Sequence, residues 1–451
     1  MNKKFLGVMF VLLLAAGGLF AAGQEEEAAG KVVSLKAMTI GPGPVPVTRA
    51  KNLESAAEKL KGEGVNLDFE VTFSTQKFEP YRTSFSLAYR SGSAPDILSE
   101  DQDIIPEYAE EGMILPLDSY LNTTAYKKDY DDFLPGLWDA VSWKGKTYGI
   151  PIEGVVNCIF YRKDVLRKMG MSDEQIERTF SPESKDFTLE KLVELAKKAK
   201  KAGLVEYGFT HRKGAGDYWF NSVMMFGGRF VDEATGNMII DTKALRKDFE
   251  FHKMLVDEGL LPPDMASWDW KVIHKYTVEG RTLFWIGGHS GQWKEYQEKE
   301  YHEKLGKLTE EYLQENIGIA PFPGVGGPVT PVKVHAYTIV ASTKYPDISF
   351  DLIARASSPE LLARHAITTF RGPTRKSVAD LPDFKAQAYL SKVLKIMNYS
   401  RAFPKHPALG VYKTMIFEAM SGIETGRLSV DAAVEFMKAK AKADIPGVII
   451  E

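Results

Sequence analysis

The stretch Trp138–Leu166 constrains this chain more than any other. Trp143 and Tyr148 flank Lys144-Gly145-Lys146-Thr147, whose glycine supplies the conformational freedom of a tight reversal, so a polar hairpin is expected. Gly149-Ile150-Pro151 follows. Pro151 lacks an N–H and forces Ile150 to be extended, which predicts a break in regular pairing. Val155, Val156, Ile159, Phe160 and Tyr161 form an apolar run of strand length, and Lys163–Met169 reads as helix. A hairpin, a proline, a buried strand and a helix in so short a span describe a chain leaving one domain and entering another.

Upstream, the pattern alternates strand and helix. Val32–Ile40 reads as a strand, Gly41–Val47 as a stiff proline-rich loop, Thr48–Lys61 as a helix and Val65–Phe73 as a second strand. A helix around Tyr81–Gly92 and a strand beginning near Asp96 complete the order of a parallel sheet with helices on its faces. Ligands of such sheets bind outside the carboxyl ends of the strands. That places Gly41–Val47 and Ser99–Asp103 at a candidate site, the second with three carboxylates in five residues. Downstream, Thr188–Gly203 is an amphipathic helix with lysines on its outer side, and Tyr207–Thr210 a strand. Asp217–Phe220 opens an aromatic helix ending at Gly227-Gly228, and Thr282–Ile286 is a buried strand emptying into the turn Gly287–Gly291. Gly324–Pro331 is expected to be a flexible return loop, Val334–Ala341 a strand and Tyr345–Thr369 two helices. Helices over 408–422 and 429–442 close the chain.

The 451 residues suffice for two or three domains, and 44% apolar with 26% charged residues is ordinary for a globular chain. A formal net charge of −3 supplies no long-range attraction for nucleic acid, and the lysine-rich helix has no aromatic platform beside it. Lys3 and Lys4, the apolar run Phe5–Leu14 and the small residues Ala21-Ala22-Gly23 describe a cleaved signal peptide over residues 1–23, with residues 24–30 a disordered tether. No cysteine follows that site, so no lipid anchor is expected. Cys158, the single cysteine, sits in an apolar run and reads as a buried structural thiol.

Several short motifs in a fixed order resemble those of family 1 extracellular solute-binding proteins, the sugar-binding receptors of ABC importers, including receptors of the maltose-binding type. They are Gly92-Ser93-Ala94-Pro95-Asp96-Ile97, Gly112–Asp118, Lys144-Gly145-Lys146, Tyr148-Gly149-Ile150-Pro151, Tyr161 and Lys163-Asp164-Val165-Leu166. Gly227-Gly228 with Asp232, the glycine-rich turn before Trp293, Arg371-Gly372-Pro373-Thr374-Arg375 and Gly426–Ser429 follow in order. Arg162 and Cys158 depart from the pattern. The resemblance implies an α/β fold of two lobes, the type II periplasmic binding protein fold, each lobe a mostly parallel sheet flanked by helices with a hinge between. The lobes are expected at 31–152 with 332–375 and at 153–331 with 376–451. It further implies a monomeric, exported receptor, periplasmic or at the cell surface. Such a receptor captures a carbohydrate, an oligosaccharide by expectation, through lobe closure, delivers it to ABC permease subunits and needs no cofactor.

The ligand-binding residues implied by the resemblance are Glu100, Asp103, Glu153, Asn157, Trp219, His289, Trp293, Arg371 and Tyr412. Carboxylates accept from sugar hydroxyls while aromatics cover apolar ring faces. Arg371, Arg375, Lys376 and His335 leave open an acidic or phosphorylated sugar, and the paired carboxylates leave open a secreted glycosidase. Catalytic motifs are incomplete. Gly145-Lys146-Thr147 lacks the earlier glycine of a phosphate loop, Ser290 lies one glycine short of a nucleophile elbow, and the eight histidines have no metal-ligand spacing.

Overall fold

The computed structural model describes residues 32–451; the expected signal segment and tether lie outside the described residues. Among the described residues no helix is long and apolar enough to cross a membrane. The chain divides into two compact units, one reaching to Ser99 and including Ile339–Ala356, the other Glu100–Thr338 with Ser357–Glu451.

The first unit begins with strand β1 (Val33–Ile40), helix α1 (Val45–Gly62), strand β2 (Leu67–Ser74), helix α2 (Phe78–Arg90) and strand β3 (Ile97–Asp101). β1 pairs in parallel with β2 along its whole length and with β3 at Ala37↔Ile97 and Met38↔Leu98. Leu35 and Ala37 of β1 and Leu53, Ala56, Ala57 and Leu60 of α1 are all within 2% of full burial. α1 starts inside the expected loop because prolines occupy its first turn, where the missing N–H costs nothing. Asp96 ties this unit together, accepting from the Lys36 N–H (2.8 Å) and the Thr343 hydroxyl (2.6 Å).

The second unit is built on a long strand, β4 (Ile150–Arg162), buried at every position but Val155. Further strands are β5 (Tyr207–Thr210), β6 (Thr282–His289), β7 (Ile317–Ala320) and β8 (Gly327–Ile339). The first half of β4 pairs antiparallel with β8, the second half with β6 and β7, and β5 lies parallel to β6. Pro151 does not end pairing as expected. It faces Ala336 beside an irregularity at His335/Ala336, and a bulge is where a ladder tolerates a missing N–H. The expected return loop is also a correction. Phe322–Gly324 pairs with Gly327–Val329 in a tight hairpin, with Gly327 at φ 117° making the reversal and Phe322, Val329 and Thr330 buried. β6 runs on through Gly287 and Gly288, which the sequence suggested was turn. A Cβ on Gly288 would lie 2.3 Å from the Phe160 ring, so glycine lets two strands approach where a side chain would wedge them apart.

Three helices pack in the same unit: α3 (Tyr218–Met225), α4 (Thr242–Asp257) and α5 (Leu409–Glu424). The lysine-rich helix occupies Leu189–Lys201, capped by the Thr188 hydroxyl accepting from the Lys191 N–H (3.2 Å).

Candidate functional site

β3 ends at Asp101 and leads into a single turn of 3₁₀ helix, Gln102–Ile104. Gln102 is fully buried and replaces backbone pairing there: its Oε1 accepts from the Val334 N–H of β8 and its Nε2 donates to the Phe403 carbonyl, each at 2.7 Å. With Gln102 pinned inward, Asp101 and Asp103 stand either side of Lys333 on β8. The Lys333 Nζ is 2.7 Å from Asp103 Oδ2, 3.6 Å from Asp101 Oδ2 and 3.9 Å from Asp217 Oδ2. Asp217, at the start of α3, also pairs with Lys413 of α5, and His335 Nδ1 lies 2.8 Å from Asp101 Oδ1.

Burial works against charge on Lys333, but Asp101, Asp103 and Asp217 outweigh it and hold the ammonium well above the ordinary lysine range. Burial likewise opposes the charge on Asp217, and Lys333 and Lys413 outweigh it, so the carboxyl titrates below its usual range. Within this charge lattice Lys333 and Asp217 therefore both carry their charges at neutral pH.

The ends of the parallel strands β5 and β6 supply its other side. Arg212, just past β5, donates from Nε to the Gly287 carbonyl (2.5 Å) and lies 5.0 Å over the Trp270 ring. His289, the last residue of β6, accepts at Nδ1 from the Gly291 N–H (3.1 Å) and meets Gln292 at Nε2 (2.7 Å). Burial, then the neighbouring Arg212 and Arg371, keep His289 neutral by driving its pKa well below the usual value.

Beside this lattice lies a cavity of about 760 Å³, bounded by the Trp143 hairpin, Phe230 and Phe403. Asp139, Asp232, Arg401 and Lys405 bring polar groups of both signs to its lining. Phe403 is the common wall: its ring is 6.1 Å from Phe220, over which the Lys413 ammonium sits at 5.7 Å. Lys405 donates to the carbonyls of Asp139 and Ser142, and burial lowers its pKa to about 8 against the opposing pull of Asp139 and Glu233.

Of the residues named from sequence, Asp103 joins the lattice, and Arg371 lies close enough to His289 to disfavour its protonation. Glu153 is 2% exposed and bonds His365, with Arg371 Nε 3.8 Å away. Asn157 donates to the Pro331 carbonyl at 3.3 Å, and Glu100 is 1% exposed. Trp219, fully buried, donates to the Gly214 carbonyl (2.9 Å). Trp293 stacks on Tyr389 with centroids 4.0 Å apart and donates to Glu310 (2.8 Å), while Tyr412 stacks on Phe220 at 5.4 Å. These three rings are covered by protein. Sequence reasoning did not single out Lys333, Arg212, Lys413, Phe403 or Lys405, and it placed the loop of Asp101 at the site without naming that residue; for Arg212, its position two residues past a strand end was a usable signal.

The pattern of the bacterial extracellular solute-binding protein family matches residues 50–361. A binding protein of Brucella abortus is 21% identical over 394 residues, 86% of this chain and 87% of that one. The maltotriose-binding protein of Pyrococcus abyssi is 20% identical over 351 residues, 76% of this chain and 68% of its own length. Among solved structures, the sugar-binding protein MalE of Xanthomonas citri superposes with a TM-score of 0.72 at 18% identity, covering 91% of this chain and 97% of that chain. A cyclo/maltodextrin-binding protein complexed with maltotetraose gives 0.68 at 19%, over 92% and 99%. The fold is thus the two-lobed, mixed α/β periplasmic binding protein fold.

Proposed function

We propose, from the premise that this chain belongs to the bacterial extracellular solute-binding protein family, that it is a receptor capturing an oligosaccharide for an ABC importer. The observation that carries the reading is the cavity of about 760 Å³ with Trp143, Phe230 and Phe403 on its walls and Asp139, Asp232, Arg401 and Lys405 between them. Its size falls within the roughly 300–1,000 Å³ usual for ligand sites. Sugars combine apolar ring faces with a fringe of hydroxyls, and aromatic walls with both donors and acceptors answer both. The charge lattice of Asp101, Asp103, Lys333, Asp217 and Lys413 supports it from the adjoining side, with the Phe403 wall between.

Asp103, His289 and Arg371 belong to the ligand-facing set, Glu153, itself covered, holds Arg371 from behind, and the covered rings of Trp219, Trp293 and Tyr412 support it from beneath. Binding proceeds without turnover, as an exported receptor working as a monomer with permease subunits requires. The lobes at 31–152 with 332–375 and at 153–331 with 376–451 close over the sugar. Bound maltotetraose in one similar structure favours a neutral glucan among candidate ligands.

Calorimetry with a panel of neutral and acidic oligosaccharides, with chromatography of the same mixtures, tests this. Saturable binding of at least one sugar with no products is expected. Many turnovers per chain would replace the receptor with a glycosidase, and no binding across the panel would remove the carbohydrate reading.

A further inference from the structure

Away from the cavity, in the interior of the second unit, four polar side chains from three segments of the chain meet without water access. His211 follows β5, Asp248 and His252 lie one turn apart on α4, and Glu424 ends α5; each is at most 2% exposed. His211 Nε2 is 2.8 Å and His252 Nδ1 3.1 Å from the same oxygen, Glu424 Oε1. On its far side His211 Nδ1 lies 2.6 Å from the Arg212 carbonyl, which only accepts, so that nitrogen carries the proton. Nε2 of a neutral His211 therefore points a lone pair at a carboxylate oxygen.

His252 repeats the problem. The Ser222 hydroxyl is committed to Asp248, so its oxygen is left to accept from His252 Nε2–H at 3.3 Å, and Nδ1 turns a lone pair toward Glu424. Asp248 Oδ1 stands 3.7 Å from the same Nε2. Three lone-pair donors thus converge, and Glu424 Oε2 and Asp248 Oδ2 have no hydrogen-bond partner although buried. Two extra protons would relieve the repulsion at the rings. They would leave both orphan oxygens unsatisfied, each at a cost of about 1–3 kcal/mol or more.

We propose that His211, His252 and Glu424 hold a divalent transition-metal ion, with zinc as the best chemical fit. Two imidazoles and a carboxylate are a zinc donor set, and tetrahedral bonds of about 2.0–2.1 Å place ligand atoms roughly 3.3 Å apart. Two of the donor contacts, at 2.8 and 3.1 Å, are within a few tenths of an ångström of that spacing, and all the donor atoms lie within 4.8 Å of one another, so drawing the two imidazoles toward each other completes the shell. Three protein ligands leave the fourth tetrahedral position to a water carried in with the ion, a donor for the otherwise unpartnered oxygens of Glu424 and Asp248. The outer contacts are those metal-bound histidines make: His211 to a backbone carbonyl and His252 toward Ser222 and Asp248. The three ligands lie far apart in the chain, and no spacing motif reveals them.

Because the ligands are sealed in, metal enters as the chain folds. The intact chain is unfolded in denaturant with a chelator, then refolded with and without zinc chloride, and separately with cobalt chloride. About one zinc per chain surviving gel filtration, a higher melting temperature than the metal-free protein, and tetrahedral cobalt absorption bands are expected. His252→Ala abolishes all three; Asp248→Asn keeps the fold by circular dichroism but weakens zinc retention by about 10–100-fold. Well-folded protein that refolds identically with and without zinc and carries no metal overturns the proposal, as does cobalt bound without tetrahedral bands.

Discussion

The ammonium of Lys333 lies 2.7 Å from the carboxylate of Asp103, and it is the same ammonium that Asp101 and Asp217 approach from other elements. One cation on β8 therefore neutralises three acids gathered from two distant parts of the sequence.

Removing it exposes their mutual repulsion. Lys333→Met is expected to destabilise the protein by about 2 kcal/mol at neutral pH, less than for a fully buried pair because the side chains are 15–35% exposed. Asp217 titrates below its unfolded value, so its contribution is present at neutral pH and is lost as pH falls through its folded pKa. The variant has already lost the part that Lys333 supplies, while Lys413 keeps its own in both proteins. Urea denaturation as a function of pH should show the two proteins converging below about pH 4; a gap that persists in acid would mean Lys333 acts through packing.

Trp293 and Trp143 should separate stability from binding. Trp293→Ala removes a ring 3% exposed, stacked on Tyr389 and bonded to Glu310, at a cost of about 3–5 kcal/mol. Trp143, half-buried and lining the cavity, donates only to Glu110 (2.6 Å). Trp143→Ala should keep the melting temperature nearly unchanged and weaken sugar binding by about 1 kcal/mol, roughly fivefold. Calorimetry and thermal denaturation of both variants check this, and equal affinities for wild type and Trp143→Ala would remove Trp143 from the ligand's path.

Lys405 carries a pH signature. Its pKa is lowered to about 8, so between about 8 and the ordinary lysine value near 10.4 the folded chain binds fewer protons than the unfolded one. Stability should rise with pH across that window from this group, and Lys405→Met should flatten the rise. Parallel denaturation curves for the two proteins from about pH 7.5 to about pH 10 would contradict it.

Cys158 should be chemically silent. It is fully buried, and burial raises its thiol pKa far above the ordinary range. A chromogenic disulfide reagent should find no thiol in the folded protein and one per chain in denaturant. Labelling of the folded protein at a rate independent of denaturant would show the β4 core opening.

Much of the architecture was legible because local chemistry and global packing agree. The strand at Tyr207–Thr210 and the cap at Thr188 follow from alternation and a side-chain oxygen. Errors fell where a tertiary partner decides. Pro151 stays in a strand because a bulge opposite accommodates it, Val329 pairs because Phe322 offers a hydrophobic partner, and Thr330 pairs with the distant Ser400. The site was less legible for the same reason. Asp103 was found by its position after a strand, but Lys333 sits mid-strand and only the β3–β8 geometry of Gln102 brings it to the carboxylates. Aromatic residues gave the weakest signal, since a buried ring and a cleft ring have the same letter.

Gln102 gives the carboxylate lattice and the cavity a common lever. Its amide clamps β8 with one end and the Phe403 backbone with the other, while Asp101 and Asp103 ride on the same turn. In the proposed receptor a ligand that tugs on either aspartate is therefore expected to displace the aromatic wall, and one that presses on the wall to shift the aspartates. Grip at one is then geared to fit at the other through a single side chain.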